Sequence, residues 1–564
     1  MIPVFPSLAG YQRAWLPKDL VAGLTVWAVL VPEALAYATI AGVSPVVGLY
    51  AAPAALVLYA AFGSSKHLVT GPMAATAALS AAAVADLATD THDVLAFTMA
   101  LALATGVIAL LAGLLRMGFL ANFISEPVLK GFIVGLALTI IIGQVPKILG
   151  IEKTEGDFFE QLWGVVRHLG DTEALPLAVG LISLAIVLAL RRWAPVVPAS
   201  LVAVLGGVAI VAAFGLEAEL DIVGHIDSGL PAFGLPDGLG VDDYLATAAS
   251  AIGVMLVGFA EGLGAAKTYA TRNHYEIEPN RELIGLGAAN LGAALCSGMV
   301  VNGSLSKTAV NGSSGARSQL SGIVVAVMTV ITLLFLTGLF EDLPEATLAA
   351  VVIAALIELV DFRSMRALYR LRTRRLGRIY GHAARPDFIA AMAALFGVLL
   401  FDTLPGLFIG IGVSLLLLVY RSARPNVAVL GALPGGDTYV DVARHPEAVT
   451  PPGVVVLRVE SGLYFANADH VRTTIRSLAA APGTRAVVID AESMPFVDVT
   501  AVRVLGELAE ELAEGGVTLM VAHDIGQVRD LLPDNGDVPG LYDGIAEAIA
   551  AIPPSPDGGN TGPS

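Results

Sequence analysis

Gly298-Met299-Val300-Val301-Asn302-Gly303-Ser304-Leu305-Ser306-Lys307-Thr308-Ala309-Val310-Asn311 lies between two apolar runs, which puts its Gly, Asn, Ser and Lys residues at membrane depth. A charge at the bilayer centre costs ~3 kcal/mol on insertion scales, so Lys307 there requires a water-filled cavity or a partner anion. Val69-Thr70-Gly71-Pro72-Met73-Ala74-Ala75-Thr76 has the same form, also flanked by apolar runs and also broken at a glycine. Paired breaks in two halves of a chain point to a transporter binding site made of half-helices. The free N–H groups at two such helix starts create a positive, anion-seeking pocket.

The 564 residues are 56% hydrophobic and 14% charged, far more apolar than a soluble protein of this size requires. The chain is therefore expected to be a polytopic helical membrane protein with runs long enough to cross ~30 Å of hydrocarbon. Its formal charge of −17 argues against nucleic acid and describes the loops rather than a substrate. The single cysteine, Cys296, permits no internal disulfide. The first apolar stretch is too long for the h-region of a cleavable signal peptide.

Arg13 and Lys18 precede the first span, about Asp19 to Ala41, and favour a cytoplasmic start. Basic connections (Lys66, Arg116, Arg191, Arg192, Lys267, Arg272 and the cluster Arg363 to Arg378) then alternate with acidic ones. The acidic set holds Glu152, Asp157, Glu217, Asp221, Glu341 and Glu345. This alternation predicts about fourteen spans with both termini cytoplasmic. Two inverted repeats of about seven spans, near 15–215 and 240–420, place the Gly71 and Gly303 breaks in corresponding spans, the third and the tenth. The membrane domain is expected over 1–425 and a linker over 426–435. A soluble α/β domain is expected over 436–552, with buried-strand runs at Val454 to Leu457, Ala486 to Ile489 and Val517 to Val521. A helix from Val499 to Ala513 starts after Asp498, a residue suited to N-capping. The tail over 553–564 is rich in Pro, Gly and Ser and is expected to be disordered.

Asp19-Leu20-Val21-Ala22-Gly23-Leu24-Thr25, Val31-Pro32-Glu33-Ala34-Leu35-Ala36-Tyr37-Ala38 and Gly48-Leu49-Tyr50 resemble the signature of the SulP anion transporter family. The similarity continues through Gly63-Ser64-Ser65-Lys66-His67, Gly71-Pro72, Ser125-Glu126-Pro127-Val128, and Gly303 to Lys307 with Asn311. The soluble part resembles the sulfate-transporter and anti-sigma-antagonist (STAS) domain that follows the membrane domain in that family. The resemblance implies a fourteen-span inverted repeat with a mobile core domain and a gate domain, moving as an elevator. It places the anion between spans three and ten, with substrate positions at Glu33, Tyr37, Met73, Ala74, Ser304, Leu305, Ser306 and Lys307. A carboxylate of the eighth span falls on Glu261. Glu33 stands where the family often has Gln, and Ala265 stands where sodium-coupled relatives carry Thr, which argues for sodium independence.

Lys307 is expected beside the anion, or paired with Glu261 or Glu33. Glu261, inside Met255 to Ala260 and its apolar continuation, favours a neutral form and is a candidate proton carrier; Glu33 is the second. An alternation is expected in which ionised Glu261 pairs with Lys307 until an anion displaces it. Ser304 and Ser306 bond an oxyanion or cap the half-helix. His67 reads as a surface histidine. Thr500 occupies the position phosphorylated in some STAS relatives, where a phosphate would meet a helix start. The expected function is secondary transport of small anions in the inner or plasma membrane: sulfate first, bicarbonate or a dicarboxylate next, with protons as the coupling ion. An uncoupled anion channel, an exchanger and a nucleobase transporter of the same general fold are the alternatives. A homodimer and a cytoplasmic partner at the STAS domain are expected. No enzyme activity, metal or cofactor is expected, because no metal-ligand cluster, nucleophile elbow or phosphate loop is present in the sequence.

Overall fold

A computed structural model describes residues 4–85, 87–88, 91–194, 197–226, 228–357, 360–370, 386–401, 403–436, 438–523 and 540–552, without the side chains of 91–93 and 121–123. The expected disordered tail and most of the basic cluster, from 371 to 378, lie outside the described residues. The chain divides into two units, one over 1–371 and 387–414 and the other over 372–386 and 415–564.

The first unit is helical because its apolar runs can satisfy their own backbone only as helices within a bilayer. Its first half holds α1 (Leu16–Ile40), α2 (Pro45–Phe62), β1 (Val69–Gly71), α3 (Ala74–Ala85), α4 (Thr91–Leu114), α5 (Glu126–Leu149), α6 (Phe158–Arg167), α7 (Ala174–Trp193) and α8 (Ala199–Phe214). After an irregular segment come α9 (Val241–Arg272), α10 (Pro279–Leu295), β2 (Asn302–Ser304), α11 (Leu305–Ser313), α12 (Leu320–Phe335), α13 (Glu345–Ile357), α14 (Phe362–Arg370), α15 (Pro386–Phe401) and the start of α16 (Thr403–Ser422), whose residues from 415 on belong to the second unit. Among the described residues seven helices are long and apolar enough to cross a membrane singly: α1, α2, α4, α5, α7, α9 and α16.

Both sequence breaks become short strands followed by short helices, β1 into α3 and β2 into α11. The strands pair antiparallel, Val69 with Ser304, Thr70 with Gly303 and Gly71 with Asn302. This crossing fixes the two helix starts side by side. Small residues permit the close approaches around it. A Cβ on Gly258 of α9 would come 3.0 Å from Asn302 Cγ, and one on Gly131 of α5 would lie against the Ala391 carbonyl of α15.

The second unit contains a six-stranded sheet in the order β4-β3-β5-β6-β7-β8. Its strands are β3 (Val427–Ala432), β4 (Tyr439–Asp441), β5 (Val454–Val459), β6 (Ala486–Asp490), β7 (Thr518–Ala522) and β8 (Gly540–Tyr542). β5 to β8 run parallel, and β3 and β4 join antiparallel. Side chains alternate between faces: Leu457, Val487, Ile489 and Leu519 pack on α17 (Ala468–Ala479) and α18 (Val499–Glu514), whereas Val456, Val488 and Met520 face α19 (Ile545–Ala550). Residues 427–432, expected within a linker, are a strand. Their Pro and Gly neighbours suggest a loop, but Ala428 and Leu430 alternate into the core.

Candidate anion site at the crossing of two broken helices

Non-helical backbone survives at membrane depth only where protein groups satisfy it. Here the Val69 N–H donates to Thr308 Oγ1 at 3.1 Å, and Thr308 Oγ1 donates to the Ser304 carbonyl at 2.5 Å. Three side-chain amides complete the task. Gln319 Nε2 donates to the carbonyls of Ser65 and Leu68 at 2.9 and 2.8 Å, and Asn311 Nδ2 to that of His67 at 2.9 Å. On the β2 side, Asn290 clamps Val301 at both ends: its Oδ1 accepts from the Val301 N–H at 3.0 Å, and its Nδ2 donates to the Val301 carbonyl at 2.9 Å. All three amide side chains are buried. Asn290 and Gln319 were not among the expected site residues, although each is a lone amide beside or within an apolar run, which was the available signal.

The crossing presents Lys307. Ser304 is the N-cap of α11, its Oγ accepting from the Lys307 N–H at 3.3 Å. Lys307 is 1% exposed. Its ammonium donates to the Pro72 carbonyl at 3.0 Å, lies 2.8 Å from Glu33 Oε2 and sits 5.1 Å from the Tyr37 ring centre. The Glu33 contact is a charge contact rather than an aligned hydrogen bond, since Oε2 lacks a directed donor. Lys307 therefore ties α11 to α1 and to the backbone between β1 and α3.

The expected residues assemble only in part. Glu33, Tyr37, Ser304 and Lys307 are buried together, and Ala74 opens α3 directly after half-buried Met73. Ser306 Oγ lies 3.1 Å from Ser304 Oγ, and both Ser306 and Leu305 are exposed, so the start of α11 is open on one side while Lys307 behind it is sealed. The expected Lys307–Glu261 pair is not formed. Glu33 takes that place, because the strand crossing carries Lys307 toward α1, and Glu261 Oε2 is buried on α9 without a hydrogen-bond partner among the described residues. The site thus joins one Lys–Glu pair and two helix starts, while Glu261 sits on α9, the helix whose Gly258 and Gly262 pack on β2.

His67 is also a correction: it is 3% exposed, with Nε2 3.1 Å from the Ala316 carbonyl and Nδ1 3.0 Å from the Tyr275 hydroxyl. Burial lowers its pKa and raises that of Tyr275. Beside it, Glu282 is fully buried and accepts from the Tyr59 and Ser64 hydroxyls, each at 2.6 Å, and from the Ser64 and Ser65 N–H groups. This knot anchors the chain entering β1. In the second unit Thr500 is half-buried in the first turn of α18, after Asp498, whose Oδ1 accepts from the Ala501 N–H at 2.8 Å.

The profile of the Sulfate permease family matches residues 16–377, and that of the STAS domain matches residues 445–536. A probable sulfate transporter of Mycobacterium tuberculosis (strain CDC 1551 / Oshkosh) is 36% identical over 526 residues, spanning 93% of this chain and 92% of its own. The chloroplastic sulfate transporter 4.1 of Arabidopsis thaliana is 31% identical over 547 residues, spanning 93% and 77%. Among solved structures, the murine Solute Carrier 26 family member A9 anion transporter in its inward-facing state superposes with a TM-score of 0.86 at 22% identity, covering 97% of this chain and 93% of that one. The transmembrane domain of a cyanobacterium bicarbonate transporter, BicA, gives 0.60 at 24% identity, covering 71% and 98%. At these identities the structural likeness concerns the fold.

Proposed function

The chain belongs to the sulfate permease family, with a STAS domain in its C-terminal part, and from that premise we propose that it is a proton-coupled, sodium-independent secondary transporter of small anions. It is a multi-pass membrane protein of a transporter family and not an enzyme. Sulfate is the first substrate, after the similar sulfate transporters; bicarbonate or a small dicarboxylate is the next. The observation that carries the reading is the sealed Lys307, held between Glu33 and the Pro72 carbonyl where two helix starts converge.

In the resting site Glu33 and Lys307 neutralise one another. An entering oxyanion draws the Lys307 ammonium and the N–H groups of α3 and α11, which leaves Glu33 as an unpaired carboxylate in a dry setting. That state is costly, so Glu33 takes up a proton as the anion binds. Moving one negative charge into an interior-negative cell costs ~2.3 kcal/mol per 100 mV, and each co-transported proton cancels one such charge. Glu261, whose Oε2 is buried without a hydrogen-bond partner among the described residues, is the second proton carrier. The proposal includes fourteen spans with cytoplasmic termini in the inner or plasma membrane, elevator-type movement and a homodimer. It also includes a cytoplasmic partner or Thr500 phosphorylation acting at the STAS domain.

Purified protein in liposomes is to be tested for uptake of sulfate, bicarbonate and dicarboxylates, each with and without an inward proton gradient. Acceleration of one anion by the gradient is expected. Currents beyond carrier rates would favour a channel, obligatory counter-anion an exchanger, and uptake of neutral bases alone the nucleobase alternative.

A further inference from the structure

A groove of about 650 Å3 lies between α2, α10 and α12, and none of its lining residues belongs to the Lys307 site. Its lining is apolar throughout. Ala54 of α2 and Gly292 of α10 lie in it, Cys296 follows α10, and the exposed Val57 and Val327 open it sideways. The loop between α8 and α9 crosses one end. There the Gly229 N–H donates to the Leu333 carbonyl at 2.9 Å, the Gly234 N–H to that of Leu295 at 3.0 Å, and Ser297 Oγ to that of Ala232 at 2.9 Å. These bonds strap the loop over the last turns of α10 and α12, the helices that wall the groove, and seat Phe233 in its lining.

The strap itself is apolar and bare. Leu230, Phe233 and Leu235 are 62%, 78% and 61% exposed. In water each would forfeit its transfer free energy, whereas at the edge of a bilayer each sits against hydrocarbon, as interfacial aromatics do. The groove is continuous with this surface and with the lipid-facing sides of α2 and α12. The strap closes that end of the groove while exposed Val57 and Val327 leave its side open, a shape that admits a flexible chain from the side.

We propose that this groove binds one acyl chain of a bilayer phospholipid, with its headgroup level with the strap and Phe233 packed on the upper methylenes. The inference requires that the chain span a bilayer and is independent of the anion carried, so failure of the transport reading leaves it standing. The full-length protein is reconstituted in phosphatidylcholine nanodiscs containing a phosphatidylcholine with a diazirine on its acyl chain, then photolysed, and the adducts are mapped by mass spectrometry. Adducts within residues 53–58, 292–296 and 326–331 are expected several-fold above those on Leu181 and Ile182, exposed residues of α7. Val327→Trp, which fills the groove, should lower the groove adducts several-fold and leave those on α7 unchanged. Phe233→Ala, which opens the strapped end without filling the groove, should lower them less. Equal yields at the groove and α7, or groove yields that neither variant alters, would overturn the proposal. A short bifunctional thiol reagent joining Cys296 of two copies in high yield would overturn it too, by giving the groove to a second protomer.

Discussion

Lys307 is buried with one carboxylate in charge contact, so the two members of that pair should respond differently to removal. Lys307→Ala removes the cation and leaves Glu33 uncompensated, a loss of ~3–5 kcal/mol for a broken buried pair unless a proton is bound. Anion binding, followed by isothermal titration or by uptake, should weaken at least about tenfold, or ~1.4 kcal/mol. Glu33→Gln keeps the shape and frees the ammonium, so binding should be retained or tightened. Asn290 gives a further prediction. Asn290→Leu orphans both backbone groups of Val301, each worth ~1–3 kcal/mol when left buried and unpaired, so the melting temperature should fall and anion affinity with it. The presence of Lys307 at depth was legible from its flanking apolar runs. Its partner was not: Glu33 and Glu261 lie in similar apolar settings, and only the pairing of residues more than two hundred positions apart chooses between them. His67 misled because Lys66 beside it suggested a wet loop, while Tyr275 and Ala316, which enclose it, are remote in sequence.

The crossing of β1 and β2 is the element on which the site depends. A Cβ on Gly303 would come 2.8 Å from Leu68 Cδ2 and 2.9 Å from Gly262 Cα, and the second contact is backbone that cannot rotate away. Gly303→Ala should therefore force the strands apart, reducing anion uptake strongly while the protein still inserts and runs as a single species on gel filtration. Wild-type uptake in this variant would show that the close packing does not position the site. Both breaks were readable as glycines within apolar runs, and Ser304 and Ser306 as caps or anion ligands, of which Ser304 is the cap. That the two short strands pair with one another was not readable from the residues themselves, because three-residue strands carry no periodic signal. In the soluble unit the buried runs announced β5, β6 and β7, but β3 was hidden by the loop-forming residues around it. Arg458 there contacts Asp490, which is fully buried, at 2.6 Å. Arg458→Met should destabilise that sheet by ~3–5 kcal/mol, seen as earlier proteolysis of residues after 425 in the full-length protein.

For the whole molecule, alternating loop charge predicts which surfaces face outward. In a Cys296→Ala background, cysteines at Asp157 and Asp221 should react with an impermeant thiol reagent added to intact cells, and one at Arg375 should not. Labelling at Arg375 would contradict the proposed orientation. Deleting residues after 435 should lower rate or expression without changing anion preference, since the Lys307 site is built within the helical unit; an altered preference would give the STAS domain a part in selection. The central claim is that anion binding at Lys307 brings a proton onto Glu33. The most direct measurement is sulfate uptake into proteoliposomes at fixed membrane potential, with and without an inward proton gradient, for wild type and Glu33→Gln. The gradient should accelerate the wild type, while Glu33→Gln should bind and exchange sulfate with most of that acceleration lost, the remainder being carried by Glu261. Equal acceleration of both proteins would contradict that claim.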